Sequence, residues 1–512
     1  MPLFLFLLHL ILFFSGCLLK KNLILEISFS SFPISFCLDW VSLVFSSFVL
    51  LISCLVLIYS EYYMMGDLFM KRFKLILLLF VASMIVLIFS GSMFTMMIGW
   101  DGLGIVSFAL VIYYSDKEAL ISGLITIFTN RIGDALMLIS IFLMIGNWKY
   151  SSFQGSMFFM VGAMTKSAQL PFSAWLPAAM SAPTPISALV HSSTLVTAGI
   201  FVMLRFNQLL LFSSKLLTIM SLGTMLGGGM IALFEKDMKK IIAMSTLSQL
   251  GLMFFMLSIG AWKICFFHMV CHAIFKSMMF LSAGSFILDG DQNANKKGKL
   301  MNLQSLPSTV LIFSSFSLSG IPFFSGFFSK DLALDLIFSE NMNLLTYILF
   351  LLGCVLTIFY SLRLIFPSIW KTSVQSEIFG SISLLMSLPL LMIWSAISGK
   401  ILSNLLLMEE FNLISFPLKS VGLFIILLGS FFFFNSKLNL LKLPTISLSY
   451  LSSHFLSNMT IFSESDSKYI EETSKIGFSF PFFHTSKMMK MEKETFLIWL
   501  FPFFAWIFMA LL

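Results

Sequence analysis

Charged residues are scarce in this sequence. Asp, Glu, Lys and Arg make up 11% of the 512 residues, and the mean hydropathy is +0.98. Soluble globular domains are about one quarter charged, so a soluble multidomain protein is excluded. Apolar runs recur along almost the whole length, and each has the ~18–25 residues that a membrane-spanning helix needs. The sequence therefore predicts an all-α membrane protein with about fifteen transmembrane helices.

Cofactor and metal motifs are also missing. The six cysteines show no CxxC spacing, and no Walker loop, Rossmann fingerprint or nucleophile elbow occurs. We therefore expect no cofactor and no metal on this chain, and any redox centre to lie on other chains.

The net charge of +7 comes from Lys and Arg clustered in loops. Such clusters are typical of orientation and lipid headgroup contact, and we expect no nucleic-acid partner.

Targeting signals are absent from the N-terminus. The first apolar run has no basic residues before it and is followed by Lys20 and Lys21, which indicates a retained first span instead of a cleaved signal. No transit peptide rich in Arg and Ser occurs. The 35 Met and 61 Phe residues are high counts that favour an AT-rich genome such as mitochondrial DNA.

Two lysines accompany predicted helix breaks inside apolar spans. Lys166 precedes Pro171, and Lys330 follows Pro322 and adjoins Asp331. Proline removes a backbone donor, and broken helices at membrane depth often line ion sites. An ionisable residue at this depth marks an ion or proton path by default. The alternatives are a Lys166 that extends to the membrane surface and a Lys330–Asp331 pair in a loop at a span end.

Acidic residues also occur within apolar sequence. Asp101 follows Gly99 and Trp100 and has no nearby basic residue in sequence, so we expect it to act on a lysine. The alternative for Asp101 is a structural carboxyl that caps a helix or pairs with another residue at a helix junction. Arg131 and Asp134 are three residues apart and share a helix face, so they are able to pair. A self-compensating structural pair and a supporting role near the proton path both remain open for them.

Histidines follow further along the chain. His191 lies in a run of Ser and Thr, where a satisfied core histidine and a proton relay are equally plausible. His268, His272 and Lys276 recur every four residues, so they form one helix stripe about 12 Å long. His268, Cys271 and His272 have metal spacing but lack further ligands, and a segment of proton path is the better interpretation.

Three residues at predicted span ends are expected to extend to the membrane surface: Arg205, Lys263 and Arg363.

With these residues in place, the sequence resembles the chain 5 family of mitochondrial NADH:ubiquinone oxidoreductase (complex I), which are antiporter-like membrane subunits. The matching segments cover residues 36–366 in the family's order. They include GWDGLGIVSFALVIYY at 99–114, NRIGDALML at 130–138, the long segment at 164–206, HMVCHAIFKSMMFLSAGS at 268–285 and GIPFFSGFFSKD at 320–331. The sequence departs from the family by Asp in place of Glu at 101, and by one span before CLDWVSL where longer members have two.

The resemblance implies two inverted five-helix repeats with broken helices, followed by a lateral helix and a last anchor. It divides the chain into N-terminal helices at 1–90, a first repeat at 91–210, a second repeat at 211–366, C-terminal helices at 367–436, a lateral amphipathic segment at 437–495 and a final anchor helix at 496–512. For 437–495, a loosely ordered polar loop is the alternative.

The resemblance also implies a function. Asp101 and Lys166 match the family's first carboxylate and lysine, and Arg131 and Asp134 match a pair beside them. His191, His268, His272 and Lys276 match the central polar axis, and Lys330 with Asp331 matches its end. The expected function is proton translocation in the inner mitochondrial membrane, coupled to electron transfer from NADH to ubiquinone.

The expected partners are the other membrane-arm subunits and lipids, cardiolipin among them. FMN, iron–sulfur clusters, NADH and ubiquinone are then expected on other subunits.

Two alternative functions remain at this point. One is a subunit of a stand-alone cation/proton antiporter, and the other is a structural scaffold that conducts nothing. The number of ionisable residues in apolar spans argues against a scaffold, because such charges destabilise a membrane core.

Overall fold

The fold was obtained as a computed structural model that describes most of the chain up to residue 430. The described residues are 1–18, 23–29, 32–145, 151–207, 214–288, 305–339, 343–370, 382–407, 422 and 424–430. The predicted lateral segment at 437–495 and anchor helix at 496–512 lie outside these residues.

Helices dominate the described part. In chain order they are α1 (Pro2–Leu18), α2 (Trp40–Tyr63), α3 (Met70–Phe89), α4 (Met93–Val111), α5 (Lys117–Ile145), α6 (Ser151–Lys166), α7 (Trp175–Ala178), α8 (Thr184–Leu189), α9 (Leu195–Arg205), α10 (Ser214–Phe234), α11 (Met238–Ser258), α12 (Trp262–Leu288), α13 (Ser305–Ser319), α14 (Ser325–Ser339), α15 (Leu344–Trp370) and α16 (Ile382–Leu407). Ten candidate spans are long and apolar enough to cross a membrane, and two shorter apolar helices accompany them. The predicted all-α membrane fold is confirmed.

One β-hairpin interrupts the helical pattern. Strands β1 (Leu23–Phe29) and β2 (Phe32–Leu38) pair antiparallel, with Leu23 opposite Leu38 and Phe29 opposite Phe32. The sequence analysis did not predict it. Both strands border apolar runs, and periodicity alone does not distinguish a short apolar strand from a helix end. The hairpin leads directly into α2, whose N-cap is Asp39.

Four membrane spans form the centre of the bundle. The span Thr184–Arg205 and the span of α12 are buried throughout their apolar windows, α11 is 94% buried and α2 is 89% buried. By contrast, α3 and α5 are each 39% buried. Helix α12 packs against α2, α8, α11, α13, α14 and α16. Side chains on α12 and on the span Thr184–Arg205 are therefore enclosed by protein on every side.

Three helices are broken inside this bundle. Helix α6 ends at Lys166, and the segment that contains Pro171 separates it from α7. Pro322 lies between α13 and α14, as predicted from the sequence. The third break was not predicted: a π-helical turn, Val190–Thr194, joins α8 to α9 and contains His191. Single π turns inside α-helices are rare and occur often at functional sites.

The broken end of α6 is satisfied by nearby donors. The carbonyl of Met164 accepts the amide of Gln169 at 3.0 Å, and the carbonyl of Thr165 accepts the indole N–H of Trp175 at 2.9 Å. Ala168 has a φ of 54°, the left-handed conformation that commonly terminates a helix. Because the last carbonyls of a helix have no partner within it, these bonds allow α6 to end among buried residues.

Two arginines predicted to extend to the membrane surface instead hold helices together. Arg205, at the end of α9, forms an ion pair of 2.6 Å with Asp39, and the two side chains are 13% and 19% exposed. Arg363 on α15 donates to the carbonyls of Ala232 and Glu235 at the end of α10. The expectation that these arginines extend to the membrane surface was wrong for both. The position of a residue in the sequence does not show which other element packs beside the end of its span.

The Asp39–Arg205 pair is testable by removing one charge. We expect Asp39→Asn to lower the free energy of unfolding by about 3 kcal/mol, because it leaves the Arg205 guanidinium largely buried without its counter-charge. Glu61→Gln is the matched control, since Glu61 pairs with Lys74 at 2.7 Å but is 51% exposed, and should cost less than about 1 kcal/mol. Thermal unfolding in detergent measures both, and equal costs would contradict this assignment.

Helices α10 and α11 pack closely at a glycine. A Cβ on Gly228 would lie 3.0 Å from the Ser248 amide nitrogen and 3.2 Å from the Met244 carbonyl oxygen, whereas one on the adjacent Gly227 would meet only Leu170 at 4.0 Å. We therefore expect Gly228→Ala to destabilise the protein by about 1–3 kcal/mol through overpacking. Gly227→Ala is the control, and its thermal midpoint should stay the same or rise. Equal losses from both variants would show that this contact is not limiting.

Candidate functional site

The predicted site residues fall into two groups joined by no direct hydrogen bond in the described part of the chain. The first group surrounds Lys166 and consists of Asp101, Arg131 and Asp134, with the unpredicted Trp100 among them. The second group surrounds His268 and extends along α12 and α14 to Lys330. His191 lies apart from both, in the π turn between α8 and α9.

Lys166 is fully buried at the last residue of α6. Its Nζ donates to the carbonyl of Trp100 on α4 and lies 4.0 Å from the centroid of the Trp100 ring. Asp134, Asp101 and Arg131 are close enough to act on its charge. The alternative in which Lys166 extends to the membrane surface is therefore wrong, because its amine is enclosed by α4.

Asp134, one of the two acidic side chains near Lys166, accepts hydrogen bonds from two donors. Asp134 accepts the indole N–H of Trp100 at 2.8 Å and the guanidinium of Arg131 at 3.0 Å, so the predicted Arg131–Asp134 pair is confirmed. Arg131 also lies 4.0 Å from Asp101, whose Oδ1 has no hydrogen-bond partner within the described residues. Arg131 thus stands between two carboxylates and bonds only one of them.

Trp100 was missed by the sequence analysis. It links the lysine to the acid, because its carbonyl accepts from Lys166 while its indole donates to Asp134. Its position next to Asp101 was the only sequence signal that pointed to Trp100. Tryptophan is common in membrane helices, however, so this signal is weak. The contacts of Trp100 with Lys166 and Asp134 are seen only in the structure.

His191 and His272 share one property. Each is buried, and both ring nitrogens of each make no hydrogen bond to the described protein. Buried polar groups are normally hydrogen-bonded, so each unpaired imidazole needs an explanation. His191 lies against Trp175 with ring centroids 6.1 Å apart, and His272 lies 6.3 Å from the ring of His268.

The predicted stripe on α12 is confirmed as one continuous helix face. His268, His272 and Lys276 are fully buried on α12. Lys276 donates to the hydroxyl of Ser245 on α11. His268 contacts Ser329 at 2.8 Å and Gln249 at 3.2 Å. Within the described residues, no group of three or more His, Cys, Asp or Glu side chains is arranged to hold a metal.

Lys330 lies at the second helix break. Its Nζ donates to the carbonyl of Leu318 at the end of α13, and to the hydroxyl of Thr357 on α15 at 3.3 Å. A cavity of about 30 Å³ adjoins it, lined by Ser319, Asp331 and Cys354 among others. Such a volume holds about two water molecules. The loop-pair alternative is wrong, because Lys330 and Asp331 belong to helix α14.

The link through Trp100 is testable by replacing its indole with a smaller ring that has no N–H. We expect Trp100→Phe to lower the free energy of unfolding by about 1–3 kcal/mol because a buried Asp134 oxygen loses its donor, and further because the smaller ring leaves a cavity at a fully buried site. Trp262→Phe is the matched control, since Trp262 is only partly buried at the start of α12. Thermal unfolding in detergent measures both variants, and an unchanged midpoint for Trp100→Phe would remove the indole from the site.

Comparison with known proteins matches this geometry to one family. The family model described as "NADH:quinone oxidoreductase/Mrp antiporter, TM" matches residues 90–357, which contain every site residue named above. The model described as "NADH-Ubiquinone oxidoreductase (complex I), chain 5 N-terminus" matches residues 25–74.

Curated relatives and solved structures agree. NADH-ubiquinone oxidoreductase chain 5 of Anopheles quadrimaculatus is 41% identical over 421 residues, covering 78% of this chain and 73% of the relative. The chain 5 of Lumbricus terrestris is 37% identical over 452 residues, covering 84% and 78%.

Two solved structures share the fold. A structure of the Mrp complex from Dietzia sp. has a TM-score of 0.72 at 20% identity, covering 89% of this chain and 56% of that chain. The archaeal membrane-bound sulfane sulfur reductase has a TM-score of 0.69 at 22% identity, covering 83% and 91%. The chain belongs to the NADH-ubiquinone oxidoreductase chain 5 family.

Proposed function

We propose that this chain translocates protons along its buried basic side chains, from the group around Lys166 through the stripe on α12 to Lys330. It is a multi-pass membrane-arm subunit of the respiratory NADH:ubiquinone oxidoreductase in the inner mitochondrial membrane, as membership of the chain 5 family implies. The residues that carry the protons are the part proposed here.

One observation carries this assignment. Five basic side chains of this path are enclosed within the helix bundle with at most 1% exposure: Lys166, His191, His268, His272 and Lys276. A charge at the centre of a membrane protein costs several kcal/mol, and such residues are rare unless they conduct ions or protons. None of the five forms a salt bridge with a side chain of the described chain. A structural scaffold has no need for such costly groups.

The surroundings of Lys166 suggest how its charge is controlled. Arg131 bonds Asp134 and lies 4.0 Å from Asp101. When Arg131 moves toward Asp101, Asp134 loses its positive partner. The negative charge of Asp134 then favours a protonated Lys166. When Arg131 returns to Asp134, Lys166 loses this support and releases its proton more readily. The driving force is electron transfer elsewhere in the complex, transmitted as a change of charge near Asp101.

The position of these charges also indicates where a partner subunit docks. Asp101 and Arg131 lie within membrane spans, yet their side chains are 44% and 46% exposed in the isolated chain. Charges facing lipid are costly, so we place a neighbouring membrane subunit over the α4–α5 surface. Assembly with other subunits of the complex follows from the family. This contact surface and the lipid partners, cardiolipin among them, are proposals.

Redox chemistry belongs to other subunits in this proposal. We assign FMN, the iron–sulfur clusters, NADH and ubiquinone to them, because the sequence carries none of the corresponding motifs. The division of the chain into repeats at 91–210 and 211–366 is likewise a proposal. It is supported by the two helix breaks, beside which lie Lys166, which is buried, and Lys330, which is partly buried.

The test removes the two lysines in the assembled complex. We expect Lys166→Met and Lys330→Met each to lower proton uptake coupled to NADH oxidation about tenfold or more, because a proton carrier is lost. Lys74→Met is the matched control, since Lys74 is partly exposed, pairs with Glu61 and lies outside both groups. Uptake is followed with a pH-sensitive dye in sealed membrane vesicles, and assembly is checked on native gels.

The outcomes separate the two functions considered. Wild-type uptake in both lysine variants would overturn the translocation assignment and leave a structural role. Loss of uptake with the control unaffected supports the proton path. An uncoupler added to the same vesicles shows whether electron transfer itself still operates.

A further inference from the structure

The hydrogen bonds around His268 connect four helices. Gln249 on α11 contacts both His268 on α12 and Tyr360 on α15, and His268 contacts Ser329 on α14. All four side chains are fully buried. Gln249 and Tyr360 have no place in the proton path described above.

The following directions satisfy all of these bonds. The Ser248 hydroxyl lies 2.9 Å from the carbonyl of Ser245, which only accepts, and we assign its one hydrogen to that bond. Its oxygen then accepts from Tyr360 Oη, 3.0 Å away. Since Tyr360 has only one hydrogen, its oxygen must accept from Gln249 Nε2 at 2.8 Å. The orientation of the Gln249 amide follows from this chain of bonds.

The same counting assigns the histidine. With Nε2 of Gln249 directed to Tyr360, its Oε1 faces His268 Nε2 at 3.2 Å and is able only to accept. Neutral His268 then carries its hydrogen on Nε2, because the bond made by one ring nitrogen sets the state of the other. Its Nδ1 is left with a lone pair that faces the Ser329 hydroxyl at 2.8 Å.

We propose that Gln249 and Tyr360 are positioning residues that hold His268 in the Nε2–H form, so that it releases its proton at Nδ1, through Ser329, toward Lys330. This inference rests on the proton translocation proposed above and specifies the direction of one transfer within it. Gln249 cannot pass the proton onward, so the α11 side of His268 is closed to transfer.

Ser329 is able to complete the transfer. Its oxygen lies 2.8 Å from His268 Nδ1 and 3.3 Å from the carbonyl of Gly326. In the protonated state, His268 Nδ1–H donates to the Ser329 oxygen while the Ser329 hydroxyl donates to Gly326. For release, the Ser329 hydrogen turns from Gly326 and passes to a base on the side of Lys330, the neutral Lys330 amine, while Ser329 takes the Nδ1 proton in its place. The N–H bond at Nδ1 and the original O–H bond of Ser329 break, and a new O–H bond at Ser329 and a new N–H bond at Lys330 form, so one proton is moved in total.

Four variants in the assembled complex test this assignment. Gln249→Leu removes both bonds, Tyr360→Phe frees the amide to rotate, Ser329→Ala removes the relay, and Ser329→Thr keeps the hydroxyl. Ser282→Ala is the control, since Ser282 is buried on the same helix as His268 and donates only to its own helix at 3.0 Å. Coupled proton uptake is measured together with infrared difference spectra of isotope-labelled histidine, from which the spectrum of a His268→Gln variant is subtracted.

We expect uptake to fall about fivefold in Gln249→Leu and in Ser329→Ala, the effect of about one lost hydrogen bond. Ser329→Thr should recover uptake, and Ser282→Ala should resemble the wild type. In Tyr360→Phe, the infrared band of His268 should shift in part from the Nε2–H to the Nδ1–H form, a change that loss of packing alone would not produce.

The failures are distinguishable. Wild-type uptake in Gln249→Leu together with an unshifted His268 band in Tyr360→Phe would overturn the positioning role and leave proton translocation intact. Normal uptake in both Lys166→Met and Lys330→Met would overturn translocation itself, whatever the band of His268 shows. If Gln249→Leu fails to assemble, the Tyr360→Phe spectrum still decides, because that variant removes a single oxygen atom.

Discussion

The cost of burying basic side chains at membrane depth governs this structure. Lipid supplies no hydrogen bonds, so each such side chain must be enclosed by protein. The span Thr184–Arg205 and helix α12 meet this requirement by being buried throughout, and they carry His191 and the α12 stripe. The less buried helices, such as α3 and α10, surround this centre and present their apolar faces outward.

The helix breaks answer the same requirement. A broken helix leaves carbonyls without partners, and a buried lysine needs acceptors, so the two compensate each other. Lys330 donates to the Leu318 carbonyl across the break between α13 and α14. At the other break, the free carbonyls of α6 are satisfied by local turns and Trp175, and Lys166 takes its acceptor from α4 instead. Lys330 is therefore bound to its own break, whereas Lys166 is bound to the helix that carries Asp101.

The two groups differ in how they meet the rest of the complex. The group around Lys166 contains acids and an arginine, and part of it reaches an exposed face at Asp101 and Arg131. The group around His268 is closed, and its fully buried side chains form a chain of bonds from Ser248 to Ser329. The first is suited to receive an electrostatic signal from a neighbour. The second is suited to direct a proton within the chain.

Much of this protein follows from the sequence alone. Composition and apolar run length predicted the all-α membrane fold, and the proline positions predicted breaks beside Lys166 and Lys330. The four-residue spacing of His268, His272 and Lys276 was enough to place them on one helix face, because that spacing is a local property of an α-helix.

Only the tertiary structure decided which helices face each other. It showed the β-hairpin, the π turn at His191, the pairing of Arg205 with Asp39 and the roles of Trp100, Gln249 and Tyr360. Gln249 and Tyr360 are 111 residues apart and ordinary in composition, so no local pattern marks them. Their role arises from the meeting of α11, α12 and α15, and contacts between distant elements depend on how whole helix faces pack rather than on sequence spacing.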